Sequence, residues 1–235
     1  MPPAARKAVS DSWVVPGAIV FAGVVLAIAV YVLHGGVPAD VVKGDPTLMR
    51  PVDQTDHILG SPAATVKLVE YADIDSPYSK TFQATMEQVM SDYAAGGKVA
   101  WVYRHLPLVD QHPNAETNAE AAECAASIGG PNTFWKFIDA IDAQAPDSVE
   151  FDPSLAPQVA TSLGLLQQSF TDCMQSHTYE QRVSDDFQNG LAAGADGSPY
   201  SILLIKGQPP ITIDGSVPYD SMKKILDAAI QKAAQ

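Results

Sequence analysis

The sequence predicts an α/β fold: a mixed sheet of about four strands with a helical insertion, preceded by one N-terminal transmembrane helix. Three observations carry this. Trp13 to Leu33 form a near-continuous apolar run. Two β-branched segments, 65–71 and 98–104, flank a stretch with helical apolar spacing. Strand character returns at 200–205 and 211–213, and the chain then closes on an amphipathic helix.

The apolar run comes first. No Asp, Glu, Lys or Arg occurs between Asp11 and Asp40, and a helix over 13–33 would rise by ~31 Å, about one hydrocarbon core. Trp13 and Tyr31 lie near its ends, where amphipathic rings favour the interface. Arg6 and Lys7 precede it and mainly acidic residues follow. The expectation is a single-pass protein of the cell membrane, with residues 1–12 as a cytoplasmic tail and everything after the span extracytoplasmic. The alternative is a cleaved signal peptide, but such apolar regions are usually about 7–15 residues long. The HGGVPAD that follows offers only a weak cleavage site, so an uncleaved signal-anchor is expected. Residues 34–56 mix Gly, Pro and Asp without a period and read as a linker with little structure of its own. One domain, 57–235, remains.

In that domain Thr65 to Tyr71 reads as a strand. Ser76-Pro77 then opens a helix, Ser as N-cap and Pro in the first turn. Phe82, Met86, Val89, Met90 and Tyr93 give that helix one buried face, and Gly96-Gly97 stops it. Lys98 to Arg104 is a second strand, parallel to the first through a right-handed crossover. The helical insertion covers about 107–193. Tyr200 to Ile205 and Ile211 to Ile213 are close enough for an antiparallel hairpin. Met222, Ile225, Leu226, Ala229, Ile230 and Ala233 mark the last helix.

Composition narrows the function. Lys and Arg number 14 against 27 Asp and Glu, a net charge of −13 that repels phosphates and argues against nucleic acid. The two cysteines, Cys124 and Cys173, cannot form a tetrahedral zinc site by themselves. His105 and His112 are too sparse a pair to indicate a metal. No metal and no cofactor is expected.

The order VEYADIDSPYSKTF, VAWVYRHLPL, helical insertion and GSPYSILL resembles the DsbA-like branch of thioredoxin-fold proteins, over about residues 57–235. The resemblance implies a thioredoxin-like sheet and a redox site at the start of the first helix. An acidic residue that tunes the site lies six positions before it, and a cis-proline loop faces it. Glu70, Ser76-Pro77-Tyr78-Ser79 and Ser198-Pro199 stand in those places. Catalysis would belong to positions 76 and 79, with Glu70, Pro77 and Tyr78 modulating. Ser198, Pro199 and Tyr200 would bind peptide, in a cleft rimmed by Tyr78, Leu106 and Tyr200. The resemblance also implies a structural disulfide between Cys124 and Cys173; two buried free thiols are the alternative.

Both motif positions are serine. Exchange requires a thiolate that attacks sulfur, and a hydroxyl neither ionises comparably nor forms a mixed disulfide. Ser76 and Ser79 are therefore expected to be inactive. A hydrolytic Ser76 would need a base, for which His105 and His112 are the nearest candidates, and an oxyanion hole; no Gly-x-Ser-x-Gly elbow exists. Otherwise Ser76 is simply a helix cap. Glu70 is either a buried carboxyl, hydrogen-bonded or carrying a raised pKa, or a charge at a strand edge.

Three functions follow. The first is a redox-silent module that holds exported or unfolded polypeptide, in a chaperone or assembly role. The second is a thiol-disulfide oxidoreductase acting on exported proteins, with Ser76 and Ser79 replacing the active-site cysteines and a membrane redox partner if cysteines are native there. The third is a purely structural extracytoplasmic domain.

Overall fold

The computed structural model describes residues 45–145 and 150–235. The expected transmembrane span and the first part of the linker lie outside the described residues. Among the described residues, no helix is long and apolar enough to cross a membrane.

Among the described residues the sheet has five strands: β1 (His57–Gly60), β2 (Val66–Ala72), β3 (Val99–His105), β4 (Tyr200–Ile205) and β5 (Ile211–Asp214), in the order β1-β3-β2-β4-β5. Only β2 and β3 pair in parallel, joined by helix α1 (Pro77–Tyr93) as the crossover rule requires. The other neighbours are antiparallel. The fifth strand corrects the expectation of about four. His57–Gly60 is too short to show a period, and its antiparallel pairing with β3 defines it.

The insertion consists of α2 (Ala115–Gly129), α3 (Pro131–Gln144), α4 (Ala156–Ser162), α5 (Gln167–Gln175) and α6 (Glu180–Ala192). Helix α7 (Tyr219–Ala233) packs beside α1. Alternation along β2 divides the core in two. Val66, Leu68 and Ala72 join Phe82, Met86, Trp101, Ile225 and Leu226 in the larger cluster. Val69 and Tyr71 point the other way, to Val102, Leu106, Tyr200 and Ile202 under α6. A side chain on Gly190 would meet Leu106 and Tyr71 at 2.9 Å, so glycine there lets α6 approach the sheet.

The linker expectation also needs correction over its described part. Arg50 donates to Asp56 at 2.8 Å and to Asp186 on α6 at 2.9 Å. Arg104, fully buried on β3, grips both carboxylate oxygens of Asp56 at 2.9 and 3.0 Å and donates to the Tyr71 hydroxyl at 2.9 Å. Met49 and Val52 pack on the smaller cluster. From Asp45 onward the segment belongs to the domain, held by partners remote in sequence.

Candidate functional site

The site lies where β2 ends and α1 begins. The Ser76 carbonyl accepts from Lys80 N at 3.0 Å, the first turn of the helix. Ser198-Pro199 is a cis peptide just before β4. It comes against the motif directly: Ser79 and Ser198 share a hydroxyl hydrogen bond of 2.7 Å, and Asp73 N donates to Ser198 Oγ at 2.6 Å. The helix start and the proline loop, 119 residues apart in sequence, are thus one site. Tyr78 and Ser198-Pro199-Tyr200 line a common cavity of about 490 Å³ with Asp196, Gly197, Asp214, Gly215 and Ser216.

Glu70 is 1 % exposed, on the central strand. Its Oε2 accepts from Trp101 Nε1 at 2.7 Å, and burial pushes its pKa up to about 8. Of the two readings, the buried carboxyl is the one found. A strand-edge charge is excluded because β3 and β4 cover both sides of β2.

Asp73 was not singled out in the sequence, yet it organises the loop. Its Oδ1 accepts from Asp75 N at 2.8 Å, and its Oδ2 accepts from Leu108 N at 2.9 Å and from His112 Nδ1 at 2.7 Å. The first bond is an aspartate turn, legible as Asp-x-Asp before the helix; the others span more than thirty residues and leave no local signal. Asp75, bonded to Phe151 N and Asn118 Nδ2, has its pKa raised by burial.

The expected rim changes. Tyr78 is 69 % exposed; Leu106 is buried in the core and is not a lining residue, while Tyr200 lines the cavity with its side chain largely buried in the smaller cluster. The Tyr200 hydroxyl donates to Ala193 O at 2.7 Å, which turns the ring inward. Neither histidine serves Ser76. His105 points its Nε2 at Glu123 and His112 is bonded to Asp73; no hydrogen bond among the described residues joins either to the Ser76 hydroxyl.

Cys124 on α2 and Cys173 on α5 form the disulfide, within the insertion. With no other cysteine in the chain, no thiol is present at the cleft.

One group could approach a metal. His57, His105 and Glu123 bring ligand atoms within 4.8 Å of one another. However, Glu123 Oε1 already accepts from His57 at 2.8 Å, His105 at 3.0 Å and Arg182 at 2.6 Å. A cation there would share its oxygen with a guanidinium, which repels it. Burial alone would raise the Glu123 pKa; the two histidines outweigh it and hold the carboxyl well below its usual range. Burial lowers the pKa of His57, against the pull of Glu123.

Comparison with known proteins agrees with this geometry. A family model described as thioredoxin matches residues 52–228. The chain belongs to this thioredoxin family. Its fold is that of DsbA proteins. BdbD from Bacillus subtilis (oxidised) matches with a TM-score of 0.67 at 20% identity, over 81% of this chain and 98% of that one. Pseudomonas aeruginosa DsbA2 matches with a TM-score of 0.62 at 21% identity, over 76% and 96%. Curated relatives include a Na(+)/H(+) antiporter, NhaA 3, from Salinispora tropica, 34% identical over 67% of this chain and 23% of that protein. Another is a Na(+)/H(+) antiporter from Herminiimonas arsenicoxydans, 30% identical over 77% and 27%. The thioredoxin-family chain therefore spans about a quarter of the length of these relatives.

Proposed function

We propose that the chain is a membrane-anchored extracytoplasmic DsbA-like protein, silent in thiol-disulfide exchange, that binds unfolded or extended polypeptide at its cis-proline cleft. The observation that carries the proposal is the contact of Ser79 with Ser198. The cleft of a thioredoxin-type site is assembled, while the chain's two cysteine sulfurs are bonded to each other in the insertion. Among the described residues, the backbone N–H and C=O of Ser198 make no backbone hydrogen bond. They are available to pair with a passing strand, a form of β-augmentation. Exposed Tyr78 supplies an apolar face beside them.

The membrane setting rests on the apolar run 13–33 and its charge asymmetry. Antiport itself is not carried over. A reporter fused after Gln235 is expected to be active only outside the cytoplasm.

Two assays test the cleft. With insulin as substrate the protein should give no disulfide turnover; measurable turnover by this sequence refutes silence. With a photo-crosslinkable unfolded polypeptide, Tyr78→Ala should lower adduct formation severalfold at unchanged stability, and indifference favours a purely structural domain.

The second reading, thiol-disulfide exchange at positions 76 and 79, is favoured by one observation: a buried Glu70 with a raised pKa persists beneath the motif. Restoring sulfur with Ser76→Cys and Ser79→Cys tests it. Insulin turnover by that variant would show a scaffold still competent for exchange; a stable dithiol without turnover removes the second reading.

A further inference from the structure

We infer that the Asp196-Gly197 pair is a spontaneous modification site: the chain converts there to isoaspartate, and the conversion dismantles the cis-proline cleft. The site goes beyond the peptide-binding reading above; only its effect on client binding draws on that reading.

The chain holds three Asx-Gly pairs: Asn189-Gly190, Asp196-Gly197 and Asp214-Gly215. In such a pair the glycine nitrogen can attack the preceding side-chain carbonyl carbon, because no Cβ obstructs its approach. The fold separates the three. Gly190 lies inside α6, its backbone committed to the helix. Gly215 N donates to Pro199 O at 2.9 Å, so attack there would break a bond that holds two loops together. The Gly197 amide makes no hydrogen bond among the described residues, and nothing lies within 4 Å of where a Cβ on it would stand. Asp196 beside it is exposed. Both Asp-Gly pairs are followed by serine, so the two reacting tripeptides are identical and only their surroundings differ.

The chemistry needs no reagent but water. Gly197 N bonds to Asp196 Cγ, and the amide proton leaves with the hydroxyl of the carboxylic acid as water, closing a succinimide ring. Water then reopens the ring. Breaking the N–Cγ bond restores aspartate. Breaking the bond from nitrogen to the main-chain carbonyl carbon leaves isoaspartate, with the main chain running through Cβ and Cγ and the former main-chain carbonyl as the free carboxylate. The main chain is then longer by one carbon, about 1.5 Å. Its anchors are close on both sides. Ala195 is buried and its N donates to Gly190 O at 2.9 Å, while Ser198 Oγ is held by Asp73 N at 2.6 Å and by Ser79 Oγ at 2.7 Å. Only residues 196 and 197 lie between them, so the added length is ample to carry Ser198 out of hydrogen-bond range.

The test incubates the full chain in detergent over weeks and digests samples with an endoprotease that cuts before aspartate but not before isoaspartate. By mass spectrometry, uncut peptide of unchanged mass should accumulate severalfold faster at position 196 than at 214. In denaturant the two rates should converge, since the tripeptides are the same. Gly197→Ala, whose methyl has room and whose φ lies outside the left-handed region, should slow the conversion severalfold. Asp196→Glu, which would have to close a larger ring, should abolish it. Equal rates at 196 and 214 in the folded protein, or a bias towards 196 that persists in denaturant, overturns the inference. The isoaspartyl fraction, separated by chromatography, should capture the photo-crosslinkable unfolded polypeptide severalfold less than fresh protein; undiminished capture overturns the effect on the cleft. No capture by fresh protein overturns the peptide-binding reading, while the rates at 196 and 214 still decide the modification site.

Discussion

Replacing Glu70 by glutamine should stabilise the domain at neutral pH and do so less as the solution is acidified. The carboxyl is 1 % exposed on the central strand, and its hydrogen bond from Trp101 accompanies a pKa raised to about 8 against an ordinary 4.5. The folded protein therefore keeps a proton that the unfolded chain releases above about pH 4.5. In that window the native state binds more protons, so stability falls as pH rises. At ~1.4 kcal/mol per pH unit, the penalty reaches ~3 kcal/mol at pH 7 and grows up to pH 8. Glutamine keeps an oxygen for Trp101 and never ionises. It adds an amide N–H that burial penalises by ~1–3 kcal/mol if unpaired. The difference between variant and wild type should thus rise by ~3 kcal/mol from pH 4.5 to pH 7, from a starting value near zero or slightly unfavourable. Urea denaturation at pH 4.5, 5.5, 7 and 8, with the same m-value for both proteins, reads it directly. A difference that is flat with pH would refute the assignment of Glu70 as a buried, protonated carboxyl.

Other expectations follow from the same structure. Changing both cysteines to serine should cost about 4 kcal/mol in the chain-entropy account of a 49-residue separation; intact protein should also be about two hydrogens lighter than its reduced form, and an unchanged mass would contradict the bridge. Arg104→Met leaves Asp56 without its bidentate partner and should cost about 3–5 kcal/mol, with faster proteolysis near residue 50; a loss below about 1 kcal/mol would contradict the clamp. Lowered pKa values at His57 and Glu123 both mean that stability is present at neutral pH and declines on acidification, from pH 6.5 for the histidine and from pH 4.5 for the carboxylate. His57→Gln should flatten the upper part of that acid limb, and an unaltered slope would show that His57 does not carry it.

Where a segment's neighbours in sequence are also its neighbours in space, its structure was legible. Strand β2, helix α1 and strand β3 lie within one or two residues of their apolar pattern, and β4 begins and ends where its aliphatic run does. Strand β1 was not legible, because four residues reveal no alternation and only the register with β3 defines them. The same reason explains the segment around Arg50, which reads as a linker because its anchors, Asp186 and Arg104, lie in other elements. At the site, the motif and the proline loop were visible as a family pattern. Their contact through Ser79 and Ser198, and the burial of Tyr200 by the Ala193 carbonyl, depend on long-range packing that no local window contains. Glu70 stayed open between two readings until the strand order placed it in the middle of the sheet.

The most direct test follows backbone amide shifts of the isotope-labelled protein during titration with an unfolded polypeptide whose cysteines are permanently blocked. Saturable changes centred on Tyr78, Ser79, Gly197 and Ser198 are the predicted result, since recognition there needs no sulfur from either partner. An unperturbed cleft at saturating polypeptide, or shifts confined to the insertion helices, would contradict it.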